Sequence, residues 1–104
     1  MSTSDLVRLA DNGRRLLFYC RGCDEIHAIV IDGTRGWSWN NDMLKPTVTP
    51  SVLSVWTNRT TNERRTCHLF IENGNLRFLG DCTHKYKDVT IPMDPFNKFF
   101  EEKP

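Results

Sequence analysis

The position of the four cysteines constrains the fold of this chain more than any other sequence feature. Two of them lie in the knuckle Cys20-Arg21-Gly22-Cys23, and the other two lie in Cys67-His68 and Asp81-Cys82-Thr83-His84, at the ends of a predicted β-hairpin. Zinc binds about four soft or borderline ligands in a tetrahedron, commonly in pairs from two chain elements. We therefore predict a structural zinc site that joins the two halves of the chain.

Five residues compete for the four zinc positions. Cys20 and Cys23 supply the first pair, and the hairpin register places Cys67 and Cys82 diagonally on one face, to which His84 returns if the strand continues. The predicted ligands are Cys20, Cys23, Cys67, Cys82 and His84, and the choice between Cys82 and His84 stays open. The alternatives are two disulfides in a secreted protein, or thiols at Cys67 and Cys82 that pack as small apolar side chains.

Length and composition predict one small globular domain over residues 1–104. The formal net charge of +1 gives no strong attraction to polyanions. No apolar run is long enough for a signal peptide or a membrane span. We therefore expect a cytoplasmic location, where thiols stay reduced and are available to a metal.

Short apolar segments separated by turn residues predict a mainly β fold, a small antiparallel sheet of zinc-ribbon type. The sequence Asp11-Asn12-Gly13-Arg14 predicts a hairpin turn between strands at 6–10 and 15–19, with a short N-terminal helix as the alternative. Further strands are predicted at 27–31 and 51–56, and loops at 40–50 and 57–63.

The clearest local prediction is a hairpin that turns at Asn73-Gly74, between residues 65–71 and 76–82. A two-residue turn pairs Leu69 with Phe78 and Ile71 with Leu76. Side chains alternate along a strand, so Cys67 and Cys82 lie on the apolar face and His68 and Asp81 lie on the opposite face.

The end of the chain predicts one short strand and one short helix. The strand covers residues 89–91. Asp94-Pro95 is typical of a helix start, with Asp as the cap and Pro in the first turn. The helix would continue to about residue 102 and pack through Phe96, Phe99 and Phe100.

Three polar residues near the cysteines are candidates for an alternative metal site or for support of the metal ligands: His27, His68 and Asp81. A lone strand histidine is usually a hydrogen-bonded structural residue. Because His68 and Asp81 share a predicted face, the carboxylate could orient an imidazole that supports the metal site or acts as a general base. The structural interpretation is favoured, and no residue is assigned a catalytic role.

An ordered series of short motifs runs through residues 17–92. The motifs are Phe18-Tyr19-Cys20-Arg21-Gly22-Cys23 with His27, Trp37-Ser38-Trp39-Asn40, Lys45-Pro46-Thr47 with Thr49-Pro50-Ser51, Cys67-His68-Leu69-Phe70 with Gly74, and Asp81-Cys82-Thr83-His84. The series resembles a family of small phage and prophage proteins, some of which carry the label "ammonia monooxygenase". The resemblance implies a β-rich zinc-binding protein in the cytoplasm of a bacterial host, with no known catalysis.

Two departures from that family pattern lie in loops. Members commonly have Pro where this chain has Arg21, and often Ala-Gly where it has residues 85–88. Both departures leave the predicted ligands intact. The oxygenase label would require a redox metal, whereas thiolate-rich sites with this spacing favour zinc.

The leading functional hypothesis is a non-enzymatic interaction module that binds a host or phage protein, for which a counter-defence role is conceivable. A thiolate-rich site without an open position is structural, so function would lie in surface contacts. Interfaces are enriched in Trp and Arg. The candidate contact residues are Trp37, Trp39, Trp56, Arg64 and Arg65, with core packing as the alternative for each Trp.

Two other functions compete with this hypothesis. The first is nucleic-acid binding through a basic patch near the zinc site. Its residues would be Arg14, Arg15, Arg21, Arg59, Arg64, Arg65, Lys85 and Lys87. The second is a metal-dependent hydrolase that uses His68, Asp81 and His84 around an open coordination position. The oligomeric state is not predicted by the sequence.

Overall fold

The chain folds into two antiparallel sheets in a computed structural model that describes residues 5–101. The first sheet has the order β1-β2-β3, with β1 at Val7–Ala10, β2 at Arg15–Cys20 and β3 at Glu25–Val30. The second has the order β4-β5-β6-β7-β8, with β4 at Ser38–Trp39, β5 at Val48–Asn58, β6 at Glu63–Glu72, β7 at Asn75–Phe78 and β8 at Thr90–Pro92. The predicted mainly β fold is confirmed, although its strands form two sheets.

Both predicted hairpins form at their Asn-Gly turns. Asn12 and Gly13 have φ angles of 56° and 84°, and Asn73 and Gly74 have φ angles of 50° and 80°. Such left-handed conformations are the ones that tight hairpin turns require and that Asn and Gly tolerate. The observed pairs of the second hairpin include Leu69 with Phe78 and Ile71 with Leu76, as predicted. The predicted strand at 76–82 is too long, because β7 ends at Phe78 and Asp81 lies in a turn.

The strand β5 is longer than the sequence predicts. It begins at Val48, within the predicted loop at 40–50, and ends at Asn58, within the predicted loop at 57–63. Pro50 is accommodated because the pairing of β5 with β6 is irregular between Val48 and Val52, so its missing N–H costs no regular ladder bond. At the far end, Asn58 pairs with Glu63. The residues there are polar and show no apolar alternation, so the sequence pattern does not predict a strand.

The predicted C-terminal helix is a short 3-10 helix at Phe96–Phe100. Asp94 does not cap it, because its carboxylate accepts two hydrogen bonds from the Arg21 guanidinium, at 2.6 and 2.9 Å. Without a side-chain cap the segment makes one tight turn, and only Phe96 of its residues is buried. No helix among residues 5–101 is long and apolar enough to cross a membrane.

The hydrophobic core draws side chains from both sheets. Leu16, Phe18 and Ile29 come from the first sheet, and they share one buried cluster with Leu69 and Phe78 of the second. Cys20 and Cys67 belong to the same cluster and are almost fully buried. The sheets therefore meet around the cysteines.

Candidate active site and metal centre

Three thiols and one imidazole come together where the two sheets meet. The potential ligand atoms of Cys20, Cys23, Cys67 and His84 all lie within 4.8 Å of one another. The Sγ atoms of Cys20 and Cys67 are 3.8 Å apart, and the Sγ of Cys67 is 3.6 Å from Nε2 of His84. These four residues could hold one metal ion, with two ligands from each half of the chain.

The knuckle between Cys20 and Cys23 is a tight turn that connects β2 to β3. The N–H of Asp24 donates a hydrogen bond of 2.8 Å to the carbonyl of Cys20. At Gly22, a Cβ atom would lie 2.5 Å from two atoms of the His84 ring. Gly22 is therefore required because the imidazole packs directly against its backbone.

The ionisable groups of the cluster influence one another strongly. Hydrogen bonds from the thiols of Cys23 and Cys67 hold the pKa of Cys20 well below its usual value. Burial lowers the pKa of His84, which favours the neutral imidazole. Cysteine binds a metal ion as the thiolate and histidine binds it as the neutral imidazole, so these two protonation states favour metal binding.

Cys82 lies outside this group of four. Its thiol accepts a hydrogen bond of 3.3 Å from the N–H of His68 and donates one of 3.2 Å to the carbonyl of His68. Burial raises the pKa of Cys82, so the thiol keeps its proton and can donate it. Cys82 thus holds the backbone of β6 at His68, whereas His84 lies with the other three thiols.

The opposite face of β6 carries a serine, a histidine and an aspartate in series. Oγ of Ser51 lies 3.0 Å from Nε2 of His68. Nδ1 of His68 lies 3.0 and 3.2 Å from the two carboxylate oxygens of Asp81. Each nitrogen of one imidazole therefore has a different partner, a hydroxyl on one side and a carboxylate on the other.

Three separate parts of the second sheet supply this series. Ser51 lies on β5 at the irregular pairing, His68 lies on β6, and Asp81 lies in the turn after β7. Side chains alternate along β6, so Cys67 points to the metal cluster and His68 points to the other face. The loop after β7 likewise supplies both Asp81 and His84, one to each site.

A carboxylate beside Nδ1 has a defined effect on the imidazole. It favours the tautomer with the proton on Nδ1, which leaves the lone pair of Nε2 free to accept the proton of the Ser51 hydroxyl. The side chain of His68 is 24% exposed, so a substrate can approach the Ser51–His68 contact from solvent. The arrangement can activate a serine for attack on a carbonyl carbon.

His27, the third predicted histidine, lies beside the cluster and interacts with the Cys20 thiol. Its Nδ1 lies 3.4 Å from the hydroxyl of Ser54, and its ring lies 5.3 Å from that of Phe18. It is not part of the Cys20, Cys23, Cys67 and His84 group. His68 and Asp81 are in contact with each other, and His84 is separated from them by the thickness of the sheet.

The candidate contact residues are not gathered into one patch. The Trp37 indole donates to the carbonyl of Ser51 at 3.2 Å, and Trp39 is half-buried against the core. Trp56 and Arg64 are exposed. Arg65 pairs with Glu63 at 2.8 Å. Trp37 therefore contacts the backbone of the candidate nucleophile, whereas Trp39 packs against the core.

The residue that sequence reasoning missed is Ser51. The motif Thr49-Pro50-Ser51 lies at the end of the predicted loop at 40–50, and no sequence pattern predicts that Ser51 lies near His68. Only the pairing of β5 with β6 brings the two together. The sequence signal that could have found it is the shared face of His68 and Asp81. A carboxylate beside one nitrogen of His68 leaves the other nitrogen for a hydroxyl partner.

A sequence comparison with known families gives one match over most of the chain. The model of the family described as "Bacterial ubiquitination-like system serine protease (BubE)" matches residues 2–79. No curated protein and no solved structure shows significant similarity to the chain. The matched segment contains Ser51 and His68, and Asp81 follows it by two residues.

This match overturns the functional hypotheses drawn from the sequence. A serine protease family is enzymatic, so the non-enzymatic interaction module is wrong. The nucleic-acid alternative fits no better, because Arg14, Arg15, Arg21 and Arg65 of the proposed basic patch each lie beside a carboxylate. The metal-hydrolase alternative also fails.

The metal-hydrolase alternative required His68, Asp81 and His84 to act at one place, whereas His84 lies among the thiols on the far side of β6. The matching model describes a small bacterial family, and it does not confirm the phage origin or the zinc binding that the motifs implied. Since the matching residues cover about three quarters of its length, the chain belongs to the BubE family of bacterial ubiquitination-like system serine proteases.

Proposed function

We propose that this protein is a serine protease with Ser51 as nucleophile, His68 as general base and Asp81 as the carboxylate that orients His68. The observation that carries the proposal is the continuous series of contacts of 3.0 Å from the Ser51 hydroxyl through His68 to Asp81. The family description supports the same chemistry and the setting, a bacterial ubiquitination-like system. Its substrates would be proteins of that system.

The reaction would proceed through an acyl-enzyme. Oγ of Ser51 attacks the carbonyl carbon of the scissile bond while Nε2 of His68 takes the hydroxyl proton. The same nitrogen then gives the proton to the departing amine, and an ester remains on Ser51. A water molecule, deprotonated by His68, hydrolyses the ester and restores the free hydroxyl. Throughout, Asp81 stabilises the positive charge that His68 acquires.

We also propose that the metal cluster holds zinc in a structural role. A tetrahedral zinc with Zn–S bonds of about 2.3 Å and a Zn–N bond of about 2.0 Å would separate its ligands by roughly 3.5–3.8 Å. The two separations of 3.8 and 3.6 Å within the cluster match this spacing. Three thiolates and one imidazole fill all four positions, which is typical of structural sites.

A zinc ion there would support the candidate active site indirectly. Cys67 directly precedes His68, and His84 follows Asp81 by three residues. Fixing Cys67 and His84 to one ion would therefore fix the two chain segments that carry the general base and its carboxylate. The metal itself would not contact the substrate, because it lies on the other side of β6.

The first test is labelling with a biotinylated fluorophosphonate, which reacts with activated serine hydroxyls. We expect the wild-type protein to be labelled, and peptide mapping to place the label on Ser51. The Ser51→Ala and His68→Ala variants should lose labelling and cleavage of a casein substrate while keeping one metal ion per chain. Ser38→Ala, which removes an exposed serine of the same sheet, is the matched control and should behave as wild type.

Three outcomes would contradict the proposal. The first is label on a serine other than Ser51. The second is full casein cleavage by Ser51→Ala. The third is loss of the metal from His68→Ala, which would make His68 a ligand and remove it from the catalytic series. Elemental analysis by mass spectrometry measures the bound metal in every variant.

A further inference from the structure

The strand that carries Ser51 has an open edge. On one side β5 pairs with β6 at Val48 and, after the irregular segment, continuously from Val52 to Asn58. On the other side its partner β4 contributes two pairs, at Val48 and Thr49. From Val52 to Asn58, no strand within residues 5–101 pairs with this second side. Backbone donors and acceptors of alternate residues are therefore left available for another strand.

A second open edge borders the same space. The strand β3 is the last strand of its sheet and pairs with β2 alone among the described strands. Residues 25–27 of β3 and residues 53–56 of β5 line a common groove of about 510 Å³. The groove is therefore bounded by two strands that each lack a partner on the side open to it.

The groove begins at Leu53, two residues along β5 from the candidate nucleophile Ser51, which does not itself line it. A strand rises about 3.3 Å per residue, so Leu53 and Val55 lie roughly 7 and 13 Å along β5 from Ser51. Leu53 is paired opposite His68, and Val55 opposite Thr66, so both side chains share the face of Ser51 and His68. The Ser51 carbonyl is already bonded to the Trp37 indole, so a polypeptide that follows this edge would pair from Val52 onward and reach Ser51 at the end of the paired segment.

The side chains along this edge are apolar and unusually exposed. Leu53 is 54% exposed and Val55 is 43% exposed. An added strand places its own side chains beside those of the edge strand, at every second residue. Apolar residues at alternate positions of the bound chain would cover Leu53 and Val55 and remove their surface from water.

We propose that the substrate polypeptide binds in extended form as an additional strand on the open edge of β5, within the groove shared with β3, and that Leu53 and Val55 select apolar side chains at alternate substrate positions. This inference rests on the proposed function. It extends that function by assigning how the substrate is held and which residues set its specificity. Main-chain hydrogen bonds would supply affinity, and the two apolar side chains would supply selectivity.

The test uses the full chain and a library of internally quenched decapeptides. The best-cleaved peptide is then synthesised with a single N-methyl group at each backbone amide in turn. Because alternate N–H groups of an added strand face its neighbour, we expect kcat/KM to fall about tenfold or more at every second position on one side of the scissile bond. Intervening positions should change little.

A pair of variants tests the side-chain part of the inference. Leu53→Asp should lower kcat/KM for the apolar peptide about tenfold, mainly through KM, and should remove the preference for an apolar residue at one position. Leu44→Asp is the matched control, since Leu44 is 55% exposed and lies outside the groove. Thermal melting and fluorophosphonate labelling of Ser51 show that both variants keep the folded site.

The outcomes separate this inference from the proposed function. Failure of the wild-type protein to be labelled at Ser51 overturns both. Labelling at Ser51 with a uniform or absent effect of N-methylation overturns the added-strand inference alone, as does labelling without cleavage of any peptide. An unchanged specificity profile in Leu53→Asp overturns the assignment of Leu53.

Discussion

Asp81 is more exposed than the histidine that it contacts, with 55% of its side chain accessible against 24% for His68. An exposed carboxylate interacts less strongly with its partner than a buried one, because water screens the charge. Asp81 therefore contributes to the candidate site mainly by positioning the His68 ring. Two carboxylate oxygens at 3.0 and 3.2 Å fix the orientation and the tautomer of the ring.

Replacing Asp81 with Asn tests this role. The amide can donate a hydrogen bond to Nδ1 and so favours the tautomer with the proton on Nε2, where it cannot accept the Ser51 proton. In a Ser-His-Asp series such a change lowers kcat by up to about 10⁴-fold. We expect a fall of roughly 10²–10⁴-fold in Asp81→Asn with little change in KM. Steady-state kinetics on a quenched peptide measures both constants.

The control for this variant is Asp32→Asn. Asp32 is an aspartate that contacts Arg14 and Thr34 away from the site. Its replacement should leave kcat and KM unchanged. Turnover by Asp81→Asn within twofold of wild type would show that Asp81 does not orient the base.

Gly22 is a residue whose identity the candidate metal site requires. A methyl group at this position would overlap the His84 ring, at 2.5 Å from its nearest atoms. Gly22→Ala should therefore push the imidazole out of the cluster and weaken metal binding by at least tenfold, as measured by competition with a zinc chelator.

Gly33→Ala is the control: its φ of +93° makes a side chain unfavourable, but no atom lies within 4 Å. That control should lower stability without changing metal affinity, and equal metal affinity in Gly22→Ala and wild type would contradict the packing argument.

At the level of elements, local pairing was predictable and non-local pairing was not. The hairpin of β6 and β7 follows from Asn73-Gly74 and the alternation around it, and it correctly separates Cys67 from His68. Ser51 could not be connected to His68, because no turn signal sets the register of β5 and because a bulge interrupts the pairing beside it. The prediction of a C-terminal helix is wrong for a related reason. Asp94, the predicted cap, instead pairs with Arg21, which lies 73 positions away in the sequence.

The loop after β7 contains the two residues between which the sequence could not choose. Cys82 bonds to the backbone of His68, and His84 lies with the thiols. We expect Cys82→Ser to keep one metal ion per chain, since a hydroxyl can preserve both bonds to His68. Cys67→Ser should lose the metal. Native mass spectrometry of protein purified without added metal counts the ions, and metal loss from Cys82→Ser but not from His84→Ala would reverse the assignment.

At the scale of the whole molecule, the two sheets share one core and both contribute residues to the candidate metal site. Cys20 and Cys23 belong to the first sheet and its turn, whereas Cys67 and His84 belong to the second sheet and its loop. Structural zinc sites contribute an apparent free energy of about 10–16 kcal/mol. The net stability of a folded domain is about 5–15 kcal/mol. The metal could therefore account for most of the stability of this chain.

Removing the metal should unfold the protein or lower its melting temperature by more than about 15 °C, because each 1 kcal/mol lost shifts the midpoint of a domain this size by about 4–8 °C. Circular dichroism with and without excess chelator measures the shift, and elemental analysis verifies that the metal is gone. Cys20→Ser and Cys23→Ser should reproduce the effect without chelator. An unchanged melting curve after verified metal loss would show that the core alone holds the sheets.

The alternation of β6 has a consequence for anyone who redesigns or truncates this chain. Neighbouring residues, Cys67 and His68, serve opposite sides of a single strand. Inserting or deleting one residue in the turn between Asn58 and Glu63 would leave the paired residues of β6 in place, whereas the same change between His68 and Glu72 would move every following side chain of the hairpin to the opposite face of the sheet. Length, and not only composition, is therefore the property of this strand that engineering must leave untouched.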